Sequence, residues 1–287
     1  MKLAMETYTL RKHYNDETAF RMIKDAGFDA FDYSFYRAIP DGKDILGDDY
    51  KECATRLRKI ADEIGIECVQ AHAQMEFVYG LAMDESTPCY LRLVRAIEAA
   101  GILGAKNLII HSIKRNEKLP ENVDHNDYNR IFYSSFIPYC EKFGVCVSVE
   151  NTFDWDGKAI PVLCDPIDHQ DFVKSINSKW INICVDVGHS AATGYDPETV
   201  IEKMDANLLR AVHIHDNDYT EDQHLLPYLG KMRWDKIMAA FKKINYQGDL
   251  TLEIVEFLEM LDVKTLPAAL KLAEQTGRVL IEKMEKS

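Results

Sequence analysis

The stretch that decides the fold is Phe143-Gly144-Val145-Cys146-Val147-Ser148-Val149-Glu150-Asn151. An amphipathic segment ends at its glycine, and a short apolar run follows. Glycine just after a helix tolerates the left-handed conformation that ends the helix. The stretch therefore predicts a helix, a glycine cap and a buried strand, with polar side chains where the strand ends.

The same unit occurs three more times in the first half of the chain. Gly27 precedes the apolar run 28–35, Gly65 precedes 66–71, and Gly104 precedes 107–110. Continuing the pattern predicts the remaining strands near residues 3–8, 181–187, 211–215 and 250–255. Apolar residues at helical spacing, clearest in 50–64 and 91–100, predict helices between them. The chain thus has eight predicted strands that alternate with helices.

Strands that alternate with helices pair in parallel, which indicates the α/β class. The eight strands are apolar nearly throughout, and no Gly-x-Gly-x-x-Gly follows any of them, so a closed (β/α)8 TIM barrel is favoured over an open doubly wound sheet. The sequence contains no linker or low-complexity run, and we therefore expect residues 1–287 to form a single domain. The irregular stretch 151–166 predicts a loop over the active-site face.

Charge and composition restrict the classes of partner. The formal net charge is −13, which disfavours nucleic acid because binding along a polyanion draws on clustered Lys and Arg. No apolar run reaches about 18 residues, and an acid at position 6 interrupts the start, so we expect a cytoplasmic protein with no membrane partner. The seven cysteines include no Cys-x-x-Cys pair and read as reduced, mostly core residues. A small-molecule substrate fits best, and the sequence leaves the oligomeric state, including a homo-oligomer, open.

The residues at the carboxyl ends of the strands are unusually rich in metal ligands, and in this fold those positions line the active site. Glu150 and Glu253 are the most informative, because each ends or interrupts an apolar run in which an unpaired carboxylate would be costly. Several carboxylates converging on one mouth also repel, and a divalent metal removes that conflict. The ligand-type residues at strand ends, or in the loops after them, are His72, His111, Glu150, Asp186, His189, His213, His215, Asp222, His224 and Glu253.

These residues predict one divalent metal ion held by Glu150, Asp186, His213 and Glu253. The mixed oxygen and nitrogen ligands suit Mn, Zn, Fe, Co or Mg without selecting one. A second set provides candidate substrate contacts or ligands for an additional metal: His72, His111, His189, Asp222 and His224. A third set consists of aromatic residues in loops after strands, which could form a wall for a sugar: Phe77, Phe153 and Trp155.

The pattern resembles the xylose isomerase-like TIM barrel superfamily, and specifically its sugar phosphate isomerase/epimerase branch, which is related to ketose 3-epimerases, inosose dehydratase and endonuclease IV. The resemblance covers nearly the whole chain. It is carried by Val149-Glu150-Asn151, Val185-Asp186-Val187-Gly188-His189, the run 213–218, the stretch 222–230 with Trp234, and Leu252-Glu253. It implies the four-ligand metal site named above, with His189 in contact with substrate.

The resemblance also implies a reaction in which Glu150 and Glu253 are catalytic. One glutamate removes a proton next to a metal-polarised carbonyl, and the other returns a proton to the opposite face of the enediolate. The predicted function is therefore a metal-dependent isomerase or epimerase of carbohydrate metabolism that acts on a sugar, a sugar phosphate or a cyclitol.

One position departs from the pattern of the ketose 3-epimerases. These enzymes usually carry an arginine shortly after the strand-seven histidine, where this chain has Tyr219.

Two alternative functions remain open from the sequence. The full set of histidines and carboxylates also matches the positions of the three-zinc site of endonuclease IV, an apurinic-site nuclease, and a keto-inositol dehydratase uses similar residues. The net charge of −13 and the acidic run 216–222 favour small-molecule chemistry over a nuclease.

Overall fold

The computed structural model describes residues 1–36, 44–74, 83–113, 124–153 and 161–286. Eight parallel strands close into a barrel in sequence order, and the first strand pairs with the last. The predicted TIM barrel is therefore confirmed. The strands are β1 (Leu3–Glu6), β2 (Ala30–Ser34), β3 (Glu67–His72), β4 (Asn107–Ile109), β5 (Cys146–Glu150), β6 (Ile181–Asp186), β7 (Leu209–Ile214) and β8 (Leu250–Leu252).

Helices follow the strands and pack against the outside of the barrel. The four predicted cap glycines all have positive φ, for example +71° at Gly144, as a left-handed helix cap requires. The helices are α1 (Tyr8–His13), α2 (Asp16–Ala26), α3 (Tyr50–Ile64), α4 (Pro88–Leu103), α5 (His125–Ser135), α6 (Ile137–Phe143), α7 (Pro161–Cys164), α8 (Pro166–Ile176), α9 (Val187–Ala192), α10 (Pro197–Lys203), α11 (Trp234–Lys243), α12 (Val255–Glu259) and α13 (Leu266–Lys286), with a 3₁₀ turn at Val263–Thr265.

Two predicted boundaries are wrong. The loop expected over 151–166 ends early, because α7 occupies part of it and α8 starts at Pro166, where the Asp165 carboxylate accepts hydrogen bonds from the first backbone N–H groups. The last strand was expected to reach residue 255 but stops at Leu252. The backbone turns there, and α12 begins at Val255.

Alternate positions along each strand face opposite sides of the barrel wall. In β5, Val147 and Val149 belong to the apolar core shared with the surrounding helices. The intervening Ser148 donates a hydrogen bond to Asn182 of β6 at 2.5 Å, inside the barrel. Above this polar layer lies a small apolar layer of Ile109, Cys184 and Ala211. The next inward positions, at the carboxyl ends of the strands, carry the site.

All seven cysteines lie in the described ranges and are free, as predicted. Cys68 and Cys184 are buried, whereas Cys146 is only partly buried because it begins β5 at the amino end of the barrel. Only Cys68, Cys140 and Cys184 are buried, so the expectation that the cysteines are mostly core residues is wrong. Within the described ranges, no helix has both the length and the apolar character that crossing a bilayer requires.

Candidate active site

Four strand ends bring together the predicted metal ligands Glu150, Asp186, His213 and Glu253. Their ligand atoms all lie within 4.8 Å of one another. The His213 Nδ1 atom is at the centre, 2.5 Å from Glu150 Oε1, 3.1 Å from Glu253 Oε2 and 3.9 Å from Asp186 Oδ2. Parallel register explains the meeting, since Asp186 of β6 pairs directly with His213 of β7.

The charges in this four-ligand group are not balanced by its own residues. Asp186 and His213 are fully buried, and Glu150 is 2% exposed. Burial opposes a charge on His213, but Glu253 and Glu150 outweigh it and raise the pKa of the imidazole well above its usual range. A group of three carboxylates out of water therefore requires a positive charge, which either a proton on His213 or a bound cation supplies.

The second ring nitrogen of His213, Nε2, contacts a carboxylate that the sequence analysis did not single out. His213 Nε2 lies 3.4 Å from Asp32 Oδ2, and the same oxygen accepts a hydrogen bond from Gln70 Nε2 at 2.6 Å. A carboxylate behind a histidine fixes the ring and makes the opposite nitrogen a better metal ligand. Asp32 interrupts the apolar run 28–35, which is the same signal that identified Glu253.

A second group consists of His189, Asp222 and His224, whose ligand atoms also lie within 4.8 Å of one another. Both histidine Nε2 atoms are 3.1 Å from Asp222 Oδ2. Each Nδ1 atom is 2.9 Å from a backbone carbonyl oxygen, that of Asn151 for His189 and that of Glu253 for His224. Because a carbonyl only accepts, Nδ1 carries the hydrogen, and Nε2 is left to bind a proton or a cation.

Electrostatics of the second group follow the same logic as those of the first. Burial opposes protonation of His224, but Asp222 raises the pKa of the ring to about 10. The pKa of Asp222 is in turn held far below its usual range, because His189 and His224 outweigh the effect of burial. The group is therefore a compact charged cluster, with the geometry of a metal site or of a site for substrate hydroxyls.

The loop that carries Asp222 and His224 is held by a buried carboxylate. Asp216 accepts hydrogen bonds from the Tyr228 and Met232 backbone N–H groups, at 2.8 and 3.1 Å, and from Trp234 Nε1 at 2.8 Å. These contacts account for the position of Trp234 in the sequence pattern. They fix the loop against the barrel, although it is irregular.

His72 and His111 complete the floor of the mouth beside Glu150. His111 Nε2 lies 2.9 Å from Glu150 Oε2, and His72 Nε2 lies 3.8 Å from the same oxygen. Burial lowers the pKa of His111; His72 is also opposed by burial, but Glu150 raises its pKa to about 9. The two oxygens of Glu150 thus face different partners, His213 on one side and the histidine pair on the other.

These residues surround a pocket of about 350 Å³, near the lower end of the range for small-molecule sites. Its lining includes seven of the predicted metal-ligand or substrate-contact residues: His72, His111, Glu150, His189, Asp222, His224 and Glu253. Phe153 lines the pocket as well. Asp186 and His213 lie beneath it, and the other two predicted wall residues, Phe77 and Trp155, lie outside the described residues.

Glu6 is a pocket residue that the sequence analysis missed. It ends β1, is 3% exposed and accepts a hydrogen bond from the Tyr8 backbone N–H at 2.8 Å. Burial, with Glu253 and Asp32 nearby, raises the pKa of Glu6 to about 8. At neutral pH this carboxyl group is mostly protonated and can donate a hydrogen bond. A carboxylate directly after the apolar run Leu3-Ala4-Met5 was the available signal.

A family model described as xylose isomerase-like TIM barrel matches residues 20–276, and the chain belongs to that family. An uncharacterized protein of Sinorhizobium fredii is 27% identical over 164 residues, which cover 56% of this chain and 51% of that protein. An uncharacterized protein of Methanocaldococcus jannaschii is 27% identical over 203 residues, covering 69% of this chain and 67% of that protein. The match thus spans about half the length of the first relative.

Solved structures with the same fold include several sugar-converting enzymes. A D-tagatose 3-epimerase-like protein superposes with a TM-score of 0.76 at 21% identity, covering 99% of this chain and 97% of that chain. D-psicose 3-epimerase has a TM-score of 0.76 at 15% identity, with 98% and 99% covered. The IOLI protein, solved with a binding zinc atom, has a TM-score of 0.70 at 15% identity, with 100% and 99% covered. At these identities the likeness shows the fold.

Proposed function

We propose that this chain is a metal-dependent isomerase or epimerase that moves a proton beside the carbonyl of a ketose, a sugar phosphate or a keto-cyclitol. The observation that carries the proposal is the pair Glu150 and Glu253. Both line the pocket, and both reach the same His213 nitrogen, at 2.5 and 3.1 Å. Two carboxylates that share one cation site at the edge of a sugar-sized pocket are the groups that proton exchange at carbon requires.

The donor set of the four-ligand group fits one divalent metal. Three carboxylates and one imidazole suit Mn, Zn, Fe, Co or Mg. When bound, such an ion polarises the substrate carbonyl and lowers the cost of the enediolate charge. Asp32 orients His213 from behind. The zinc in the similarly folded IOLI protein supports the presence of a divalent ion in this family of barrels.

The two glutamates have different surroundings, which suits an acid/base pair. His213, His111 and His72 outweigh burial and hold the pKa of Glu150 well below its usual value, so this carboxylate stays ionised. Glu253 directly follows β8, and its side chain is 13% exposed, towards the pocket. Strands five and eight are three apart in the ring of eight, so a substrate lying across the mouth has one carboxylate near each face. One accepts the carbon-bound proton, and the other returns a proton.

Substrate hydroxyls have partners around this pair. The carboxyl group of Glu6 and the imidazoles of His72 and His111 are within the same pocket. Phe153 offers an apolar surface to the C–H face of a sugar ring. A polyhydroxylated ring or chain with one carbonyl therefore suits the lining better than an apolar ligand does.

Elemental analysis tests the metal. Protein purified without chelators is expected to hold about one tightly bound divalent ion per chain, because the four-ligand group has three carboxylates and is the most negative of the candidate groups. Absence of metal, together with no binding of Mn or Zn on titration, would remove the basis of the proposal. Close to three zinc ions per chain, together with nicking of an abasic DNA duplex, would instead identify a nuclease.

The group of His189, Asp222 and His224 is proposed to hold substrate hydroxyls or an additional ion. Changing His224 to alanine is expected to lower turnover at least about tenfold while leaving the melting temperature within a few degrees, since loop residues at this end of the barrel serve chemistry more than stability. The matched control is His13→Ala, which removes an exposed histidine outside the pocket. Unchanged kinetics in His224→Ala would show that the group takes no part in the reaction.

A further inference from the structure

A second cavity, of about 400 Å³, lies at the amino end of the barrel, opposite the pocket described above. It is bordered by the starts of β4, β5, β6 and β7 and by the turns that precede them. Three of its lining residues are cationic: Lys106, Lys179 and Arg210. Among the described residues that line it, none is a carboxylate. In a chain with a net charge of −13, such a concentration of positive charge needs a reason.

The three cations have no carboxylate partner in the part of the chain that the structure describes. Lys179 Nζ instead lies over the Trp180 ring, 5.1 Å from its centroid. Two cations elsewhere at this end of the barrel are paired with carboxylates. Lys2, just before β1, pairs with Glu67 at 2.5 Å, and Arg278 pairs with Asp29 at 2.7 Å beside β2.

The cations at this rim have two possible roles: to offset the charge of a helix end, or to bind an anion. Helices end all around this rim, and a cation near a helix carboxyl end offsets the partial negative charge there. Lys24, in the last turn of α2, is a cation of this kind, because its Nζ donates to the Gly65 carbonyl oxygen at 2.7 Å, at the end of α3. Beside β4 to β7 the positive charge is in excess and faces a cavity.

The inner surface of the cavity is mixed, with the amide side chains of Asn107 and Asn182 beside the apolar side chains of Ile181 and Leu208. Asn182, 4% exposed, donates from Nδ2 to Asn107 Oδ1 at 2.9 Å and accepts from Ser148 Oγ at 2.5 Å. Asn107 Nδ2 in turn donates to the Arg210 carbonyl oxygen at 3.4 Å. The Asn107 amide nitrogen has a second N–H beyond this bond, whereas the Asn182 side chain also hydrogen-bonds to the Cys146 thiol. The cavity thus combines three cations with amide donors, which is the chemistry that binds an oxyanion.

We propose that this cavity is a binding site for a small oxyanion, either inorganic phosphate or the phosphate group of a small molecule. The concave shape and limited volume fit a small ligand rather than a nucleic acid, which the overall negative charge also disfavours. Binding of an oxyanion in this cavity does not depend on the reaction proposed for the pocket at the carboxyl end of the barrel. The pKa of the nearby Cys146 thiol responds to these cations, since burial raises it while Arg210 and Lys179 lower it.

Titration calorimetry tests the site with inorganic phosphate and, separately, with sulfate, both at constant ionic strength. The double variant Lys106→Ala/Lys179→Ala is expected to bind each anion at least about tenfold more weakly than the unchanged protein, because charge-assisted hydrogen bonds are lost. The matched control, Lys174→Ala/Lys236→Ala, removes two exposed lysines that do not line the cavity and is expected to bind as before. Binding of phosphate but not of glucose 6-phosphate assigns the site to the free ion; tighter binding of the sugar phosphate assigns it to a phosphorylated ligand.

Alkylation of Cys146 locates the anion. Phosphate is expected to slow its modification by iodoacetamide severalfold relative to chloride, with Cys53 on α3 as the internal reference, and the double variant should lose this protection. The proposal is overturned if neither anion binds beyond the effect of chloride. It is equally overturned if both double variants bind alike and Cys146 is unprotected, since the anion then occupies another site.

Discussion

Replacing Glu150 or Glu253 with glutamine is expected to slow substrate turnover by about 10²–10⁴-fold, the usual contribution of a general acid or base. Glutamine keeps the size of the side chain but can neither accept nor return the proton. Loss of a charged ligand adds to the effect. Turnover is measured by chromatography of the epimer or isomer formed at saturating substrate.

The matched control for these variants is Glu63→Gln, which neutralises an exposed carboxylate on α3. It should retain full turnover. Circular dichroism must show that the barrel is intact in all three variants. Turnover that survives both Glu150→Gln and Glu253→Gln would leave the fold and the pocket as described, but it would show that other groups move the proton.

The second large effect concerns the carboxylate behind His213. Asp32→Asn is expected to weaken divalent metal binding by about 10–100-fold, the usual cost of losing a partner that orients a metal-bound histidine. Asp186→Asn, which alters a ligand, should weaken binding at least as much. Both are measured by titration of chelator-treated protein with Mn or Zn.

Asp171→Asn serves as the control, because Asp171 is exposed on α8 and does not line the pocket. If Asp32→Asn binds metal as tightly as this control, the 3.4 Å contact with His213 has no role in the metal site. If Asp186→Asn also binds normally, the four-ligand group is not the metal site, whatever its geometry.

The fold could be predicted because its signals are local. Four units of helix, glycine and apolar run establish the pattern in the first half of the chain, and four further apolar runs of strand length bring the strands to eight, the number of a closed barrel. Boundaries were less certain, because they depend on capping. The helix beginning at Pro166 is fixed by the Asp165 side chain, and the end of β8 by a backbone turn at Glu253.

The meeting of the four ligands could be anticipated for a topological reason. All eight strands are parallel, so their carboxyl ends share one face of the barrel. Ligand-type residues at those ends therefore lie close together. Asp32, Gln70 and Glu6 were harder to identify. Asp32 matters through its contact with His213 across the barrel, and Gln70 through its hydrogen bond to Asp32, and both depend on the register between strands. Glu6 matters through its burial next to Glu253.

The sequence pattern constrains the substrate contacts less than it constrains the metal ligands. The residues at positions 189, 222 and 224 form a compact group in the structure, but a proton, a metal and a sugar hydroxyl all satisfy the same nitrogen atoms. The substrate is therefore defined by class: polyhydroxylated, with one carbonyl, and small enough for a pocket of about 350 Å³.

Solvent deuterium incorporation tests the central claim most directly. Metal-loaded protein is incubated in deuterated water with a panel of free ketoses, phosphorylated ketoses and inososes, and each compound is analysed by mass spectrometry and proton NMR. The account predicts that at least one compound gains deuterium at the carbon beside its carbonyl, and that chelation of the metal abolishes the gain. A broad panel with no exchange, on protein confirmed to hold its metal, would contradict the assignment as an isomerase or epimerase.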